Sequence, residues 1–332
     1  MNDALLVRII ASIIAQSAPL MLAITGETIT ERTGVINLSL DGSMMLAAMT
    51  GFLVAYQSSN VLGIGGNTVP VLLGFAAAAL VGALAALIVA WGSFRLKQNQ
   101  VAIGFVLTLL LADLANFLGQ NFTRIPGPSV QAFGIPFLKD LPLIGPILFD
   151  HDLLIYFAFA VVGLSWWWMY RTQPGLRMRG VGERPEAAFV RGVTINRLRY
   201  VYSSVGGALV GMSGAAFSLD IKLGWSDNHI LGLGWIALAI VIFGGWRPGW
   251  GAAGAILYGA TKYLATVLQQ SYPEVPVVLF NSLQWLLMLG VLLLVGSGGI
   301  RRLIDVAPRA LQRPLARALR VAPPESLGMV EK

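Results

Sequence analysis

The chain has 332 residues, of which 56% are hydrophobic and only 12% charged. Soluble domains carry about 25% charged residues, and here the apolar residues gather into runs of roughly the 20 that a bilayer core demands; an ordinary soluble domain is excluded and an all-α membrane protein is expected. The net charge of +7 does not point to nucleic acid, because the basic residues sit in a few loops and the tail between apolar runs. The absence of cysteine removes disulfides and thiolate-held metals.

Taken in chain order, hydropathy predicts about nine transmembrane helices, near 4–25, 36–56, 69–92, 100–118, 153–171, 200–219, 232–246, 250–269 and 276–296. The first run lacks a basic leader and passes straight into Glu27, Glu31 and Arg32, so it reads as a span and not as a cleaved signal. The seventh is short, with Gly232, Gly234, Gly244 and Gly245 crowding its ends, and a tilted or broken segment is expected there. Trp166, Trp167, Trp168 and Tyr170 close the fifth span as an interfacial aromatic belt would.

Orientation follows from Lys and Arg. If the loops near 26–35, 93–99, 172–199 and 247–249 and the tail after 300 share one side, that side holds Arg32, Arg95, Lys97, seven arginines between Arg171 and Arg199, Arg247, and seven basic residues from Arg301 to Lys332. The other side keeps Arg124, Lys139 and Lys222. The basic side is the cytoplasm, so the N-terminus is expected outside and the C-terminus inside. The loop 119–152 is then external and proline-rich, whereas 172–199 is internal and basic. Residues 1–300 read as a transmembrane domain and 301–332 as a basic cytoplasmic tail, a surface or disordered segment. Spans one to four start outside and spans six to nine inside, each set opening with a helix followed by a polar, glycine-bearing stretch (26–42 and 219–234). That is the arrangement of an inverted repeat.

Sequence motifs for chemistry are missing. No Gly-x-x-x-x-Gly-Lys-Ser/Thr loop, His-Glu-x-x-His or Gly-x-Ser-x-Gly occurs, so the chain is not expected to be an enzyme, to hydrolyse ATP itself, or to need a cofactor or metal. His151 and His229 fall at external span ends and read as polar caps.

Polar residues at membrane depth carry more information, since they face a bundle interior or a water-filled path. Asn37 and Asp41, four apart, are predicted on one helix face; Asp113 and Asn116 share a face of the fourth span, Asn281 and Gln284 one of the ninth, and Lys262 in the eighth calls for an acidic partner. Each pair reads either as a translocation path or as interhelical bonding that holds the bundle. Gly207, Gly211 and Gly214 in the sixth span read as a close-packing face.

Within 172–199, Pro185 suits a first helical turn, Glu186 its N-terminus, and Gly192 its end, with Ala187 and Ala188 between. A short surface helix between two spans is predicted, against the alternative of a solvated basic loop. The run Gly182-Glu183-Arg184-Pro185-Glu186-Ala187-Ala188-Phe189-Val190-Arg191-Gly192 resembles the cytoplasmic loop of permeases in the branched-chain amino acid/ribose/nucleoside group of ABC importers. Residues 26–42, with Glu27, Glu31, Arg32, Gly34, Asn37 and Asp41, resemble the signature of the nucleoside branch, and 232–248 resembles its later span and turn. Ser39 and Asp41 depart from it, standing where glycine and glutamate are common.

The resemblance implies that Gly182, Glu183, Pro185, Glu186, Ala187, Ala188 and Gly192 form a coupling helix that docks into an ABC ATPase subunit. It implies as partners that ATPase, a second and related permease chain, and an extracytoplasmic solute-binding protein, in a bacterial inner membrane. The solute implied is a nucleoside or a related small polar molecule; a branched-chain amino acid or a pentose is the alternative, and a stand-alone secondary transporter or a membrane enzyme lies further off.

Overall fold

The computed structural model describes residues 3–63, 65–142, 144–297 and 322–329; the basic residues from Arg301 to Arg320, and Lys332, lie outside them. Among the described residues eleven α-helices follow one another: α1 (Asp3–Glu31), α2 (Leu40–Asn60), α3 (Thr68–Phe94), α4 (Gln100–Gly119), α5 (Leu153–Arg171), α6 (Gln173–Glu183), α7 (Pro185–Val190), α8 (Ile195–Ala216), α9 (Leu233–Phe243), α10 (Pro248–Ser271) and α11 (Val277–Gly296). Among the described residues there are no strands, only three isolated bridges. A helix falls on each of the nine hydropathic stretches, and six are long and apolar enough to cross a membrane. α9 has 11 residues, about 16 Å of helix and roughly half of a hydrocarbon core.

Helix α8 is the centre of the bundle, packed on α1, α2 and α3. Its small residues permit this. A Cβ on Gly206 would meet the Gly26 carbonyl of α1, one on Gly207 the Gly82 carbonyl of α3, and one on Gly214 the Met44 carbonyl of α2. The close-packing face expected at Gly207, Gly211 and Gly214 is therefore where backbones approach. Around this centre, α1 also packs on α10 and α5, α4 on α2, and α11 on α9 and α10.

Two local departures from expectation have physical reasons. Helix α1 runs to Glu31, past the predicted end at 25, because this polar turn is buried within the protein, where Thr28 and Thr30 satisfy their hydroxyls on the carbonyls of Ile24 and Gly26. Hydropathy falls there although helix formation does not. Asn37 lies in the irregular stretch before α2, so it shares no helix face with Asp41; its Oδ1 accepts from the backbone and hydroxyl of Ser39 instead. The proline-rich segment 119–152 is held by backbone bonds to the stretch after α8, with Arg124 donating to the Trp225 carbonyl (2.9 Å) and Val130 to that of Leu219 (3.0 Å).

Overpacking at a helix crossing costs about 1–3 kcal/mol. Gly211→Val, whose Cβ would meet the Ala78 carbonyl, is expected to lower the unfolding midpoint of the detergent-solubilised protein by about 3 °C or more. Gly163→Val on α5, where a Cβ meets nothing within 4 Å, should leave the midpoint unchanged in the same assay. Equal midpoints for both variants would remove the α8 crossing as a constraint.

Candidate functional site

Two helices project between α5 and α8. The Thr172 side chain caps α6 by accepting from Gly175 N–H (3.2 Å), and Gly175, Met178, Val181 and Gly182 give it a buried face. Met178 packs in a cluster with Ile29, Met169 and Tyr202. Arg184 (φ −144°, ψ 84°) breaks the helix, and Pro185 restarts it as α7 with Glu186 in the first turn. Gly192 (φ +77°) lets the chain leave, its N–H donating to the Phe189 carbonyl (2.8 Å).

Helix α7 has one buried position among exposed ones. Ala188 is 8% exposed and turned into the protein, so it is a seat for α7 and not part of its outer face. Glu183, Glu186 and Ala187 are exposed, and beside them Phe189 and Val190 are 68% and 85% exposed. These two were not singled out from the sequence. The signal was present: adjacent large apolar residues inside a basic, charged loop.

Arg32, just past α1, joins this element to the bundle. Its Nη1 lies 3.3 Å from Glu183 Oε1, its Nε donates to the Trp246 carbonyl (2.8 Å) and its Nη2 to that of Gly245 (3.1 Å). The neighbouring Glu31 carboxylate accepts the Trp246 indole N–H. Glu27 Oε1 accepts from Asn37 N–H (3.3 Å), and Gln100 Oε1 from that of Ile36 (2.7 Å). Arg199, fully buried, donates to the Thr33 carbonyl and stacks 4.4 Å from the Phe94 ring centroid. The signature residues of 27–37 thus lie in neighbouring buried contacts, and of the signature only Asn37 and Asp41 had been taken as path residues.

Asp41 is buried at the start of α2, and its carboxylate is spent on the N-terminus of α9. Oδ1 accepts from Gly232 N–H (2.9 Å) and Gly234 N–H (2.8 Å), and Oδ2 lies 3.1 Å from Gly232 N. Gly232 has φ +91°, and a Cβ there would strike the Trp285 ring.

The remaining membrane-depth residues are spread out. Asp113 is exposed on α4, while Asn116 donates to Asn228 Oδ1 (2.8 Å) and accepts from its N–H (3.2 Å). Asn281 is exposed on α11 and accepts from Lys262 Nζ (3.5 Å), an amide partner where an acid had been expected; Gln284 is buried. No hydrogen bond among the described residues joins Asn37–Asp41, Asp113–Asn116 or Asn281–Gln284 to another of these pairs. His229 Nδ1 lies 2.8 Å from the Ser226 carbonyl, and burial pushes its imidazole down to about 4, so it is neutral at physiological pH.

The family model of the branched-chain amino acid transport system permease component matches residues 9–296, nearly the whole bundle with α6 and α7 inside it. The chain belongs to this permease family. The permease is 31% identical over 266 residues to the guanosine ABC transporter permease protein NupQ of Bacillus subtilis, covering 78% of this chain and 82% of that one. It is 31% identical over 264 residues to the nucleoside ABC transporter permease protein NupC of Lactococcus lactis, with the same shares. It is 36% identical over 244 residues, 72% of this chain and 71% of the other, to the ABC transporter permease protein TsgC13 of Haloferax volcanii, which is named provisionally for glucose. No solved structure matches the chain. Together with the six apolar helices, these matches make it a multi-pass membrane permease subunit.

Removing the partner of a buried donor costs about 1–3 kcal/mol. Asp41→Ala leaves Gly232 and Gly234 N–H unmet, and is expected to lower the unfolding midpoint of the permease together with its transport. A variant with full thermal stability and abolished transport would place Asp41 on the solute path instead.

Proposed function

We propose that this permease is the membrane-spanning subunit of an ATP-driven importer for nucleosides or related small polar solutes. The observation that carries the reading is the 31% identity to two permeases named for guanosine and for nucleosides, over about four fifths of each chain. The higher identity to TsgC13 favours one second reading, a hexose such as glucose.

In this reading nine helices cross or enter the cytoplasmic membrane, with the N-terminus outside and α6 and α7 inside. The lopsided Lys and Arg distribution supports the orientation. An inverted repeat pairing α1–α4 with α8–α11 is supported by the packing: α1 meets α10 as α8 meets α3, and α2 meets α4 as α9 meets α11. Residues 1–300 are the membrane domain. Its partners are an ABC ATPase subunit, a second permease chain that is related but distinct, and an extracytoplasmic solute-binding protein that supplies affinity.

Phe189, Val190, Glu186 and Ala187 give α7 an amphipathic face for the ATPase, with Glu183 beside it. Closure of the ATPase on ATP pushes α7, and Arg32 carries the displacement from Glu183 to the turn after α9. Asp113, Asn116 and Asn281 are at least partly exposed in the single chain. Polar groups at membrane depth avoid lipid, so these faces of α4 and α11 turn toward water or the second permease, lining the solute path.

The orientation is checked by impermeant thiol labelling of a chain that has no native cysteine. In intact cells Ser129→Cys should be modified and Thr194→Cys spared; the reverse pattern would invert the topology.

The transport reading is checked by reconstitution with the ATPase and the binding protein. Uptake of radiolabelled guanosine should require ATP and exceed that of glucose; preference for glucose selects the second reading. In the same vesicles Phe189→Asp should lower uptake and solute-stimulated ATP hydrolysis at least about tenfold, the scale for an anchor residue at an interface. Wild-type rates in that variant would remove α7 as the coupling helix.

A further inference from the structure

Residues 322–329 were expected to be a surface or disordered tail, and instead they lie against the most constrained part of the α7 end of the bundle. Pro324 and Ser326 are buried, Leu327 packs against the main core, and Glu325 and Met329 face outward. The segment is a tight turn, with Leu327 N–H donating to the Pro324 carbonyl (3.1 Å) and Met329 N–H to that of Ser326 (3.1 Å).

Its contacts go to two different elements. On one side Ser326 N–H donates to the Gly182 carbonyl (2.9 Å), and Ser326 Oγ lies 2.7 Å from that carbonyl and 3.2 Å from the Val181 carbonyl. The last carbonyls of a helix have no partner within it. Here they belong to the buried end of α6, immediately before the break at Arg184 from which α7 projects. On the other side Gly328 N–H donates to the Gly34 carbonyl (3.1 Å), in the turn that follows Arg32. Gly34 has φ +91°, and a Cβ there would lie 2.6 Å from Ser326 Oγ, so the bare glycine leaves room for the tail. Arg184 Nε and Glu325 Oε2, 3.8 Å apart at the surface, add a weak third contact.

We propose that 322–329 is a strut that completes the coupling element, with Ser326 and Gly328 as positioning residues that tie the end of α6 to the turn between α1 and α2. It rests on the reading of α7 as the ATPase-facing helix. A helix of six residues transmits displacement only if its base is fixed to the helices it must move. Arg32 fixes that base from one side through Glu183, a pair whose acid is about half exposed. Buried bonds from Ser326 to the α6 carbonyls fix it from another, and they exclude water from the joint. The strut also brings the exposed Glu325 to Arg184, the residue from which α7 projects.

The test compares the full chain with a chain ending at residue 321 and with Ser326→Ala, each reconstituted with the ATPase and binding protein. The quantity read is guanosine or glucose taken up per ATP hydrolysed. Loss of one or two bonds to buried carbonyls predicts a fall of roughly fivefold or more in that ratio, with ATP hydrolysis continuing. A synthetic peptide of residues 322–332 should restore the ratio to the truncated chain. In the isolated permease, amide exchange over 184–193 should quicken in Ser326→Ala while α8 stays protected. An unchanged ratio and unchanged exchange in both variants would overturn the strut. If truncation prevents assembly, Ser326→Ala and its exchange pattern decide alone. Failure of the importer reading looks different, because then the full-length complex itself takes up no solute while the exchange comparison still reports on the joint.

Discussion

A helix that begins inside a membrane bundle leaves its first N–H groups without water, and each unmet group in such surroundings costs several kcal/mol. Helix α9 faces this at both ends. The Asp41 carboxylate takes the N–H groups at its start, and the Arg32 guanidinium takes the Gly245 and Trp246 carbonyls just past its finish. An acid at the N-terminus and a cation at the C-terminus also match the helix dipole. Both residues come from the first quarter of the chain, so a short segment of the second half is held by charges of the first. The place of α9 sets the turn that Arg32 grips, and Arg32 reaches α6. Position within the bundle and position of the projecting helices are thereby one problem.

The all-helical class and the approximate place of every long helix were legible in the sequence because hydropathy reports the solvent around a helix. It fails where burial is by protein. Helix α1 therefore extended through Glu27 and Glu31, and α6 was missed because one stripe of Gly175, Met178 and Val181 is hidden beneath a basic exterior. The glycine pattern of α8 was readable since a small-residue face has few other uses. α7 was readable from Pro185 and Gly192, which act on the backbone whatever surrounds them.

Site residues were less legible, for a reason that Asp41 illustrates. A carboxylate in an apolar run announces that something pairs with it, but not what. Its partners are backbone groups nearly two hundred residues away, and backbone donors leave no mark in a sequence. The same holds for Ser326, an unremarkable serine in a proline-bearing tail whose partners are carbonyls. The place of Ala188 in a helix was legible, and only the packing of α7 shows which side it takes.

The exposed pair Phe189 and Val190 has a consequence for the life of the chain in the cell. The single chain carries these two large apolar side chains into solvent, beside a loop dense in arginine. Such a patch is sticky, and it is the kind of mark by which proteolytic surveillance distinguishes an orphan subunit from an assembled one. If the ATPase proposed above covers this patch, the survival of each copy depends on assembly, which would match the abundance of one gene product to that of another without any regulator of synthesis.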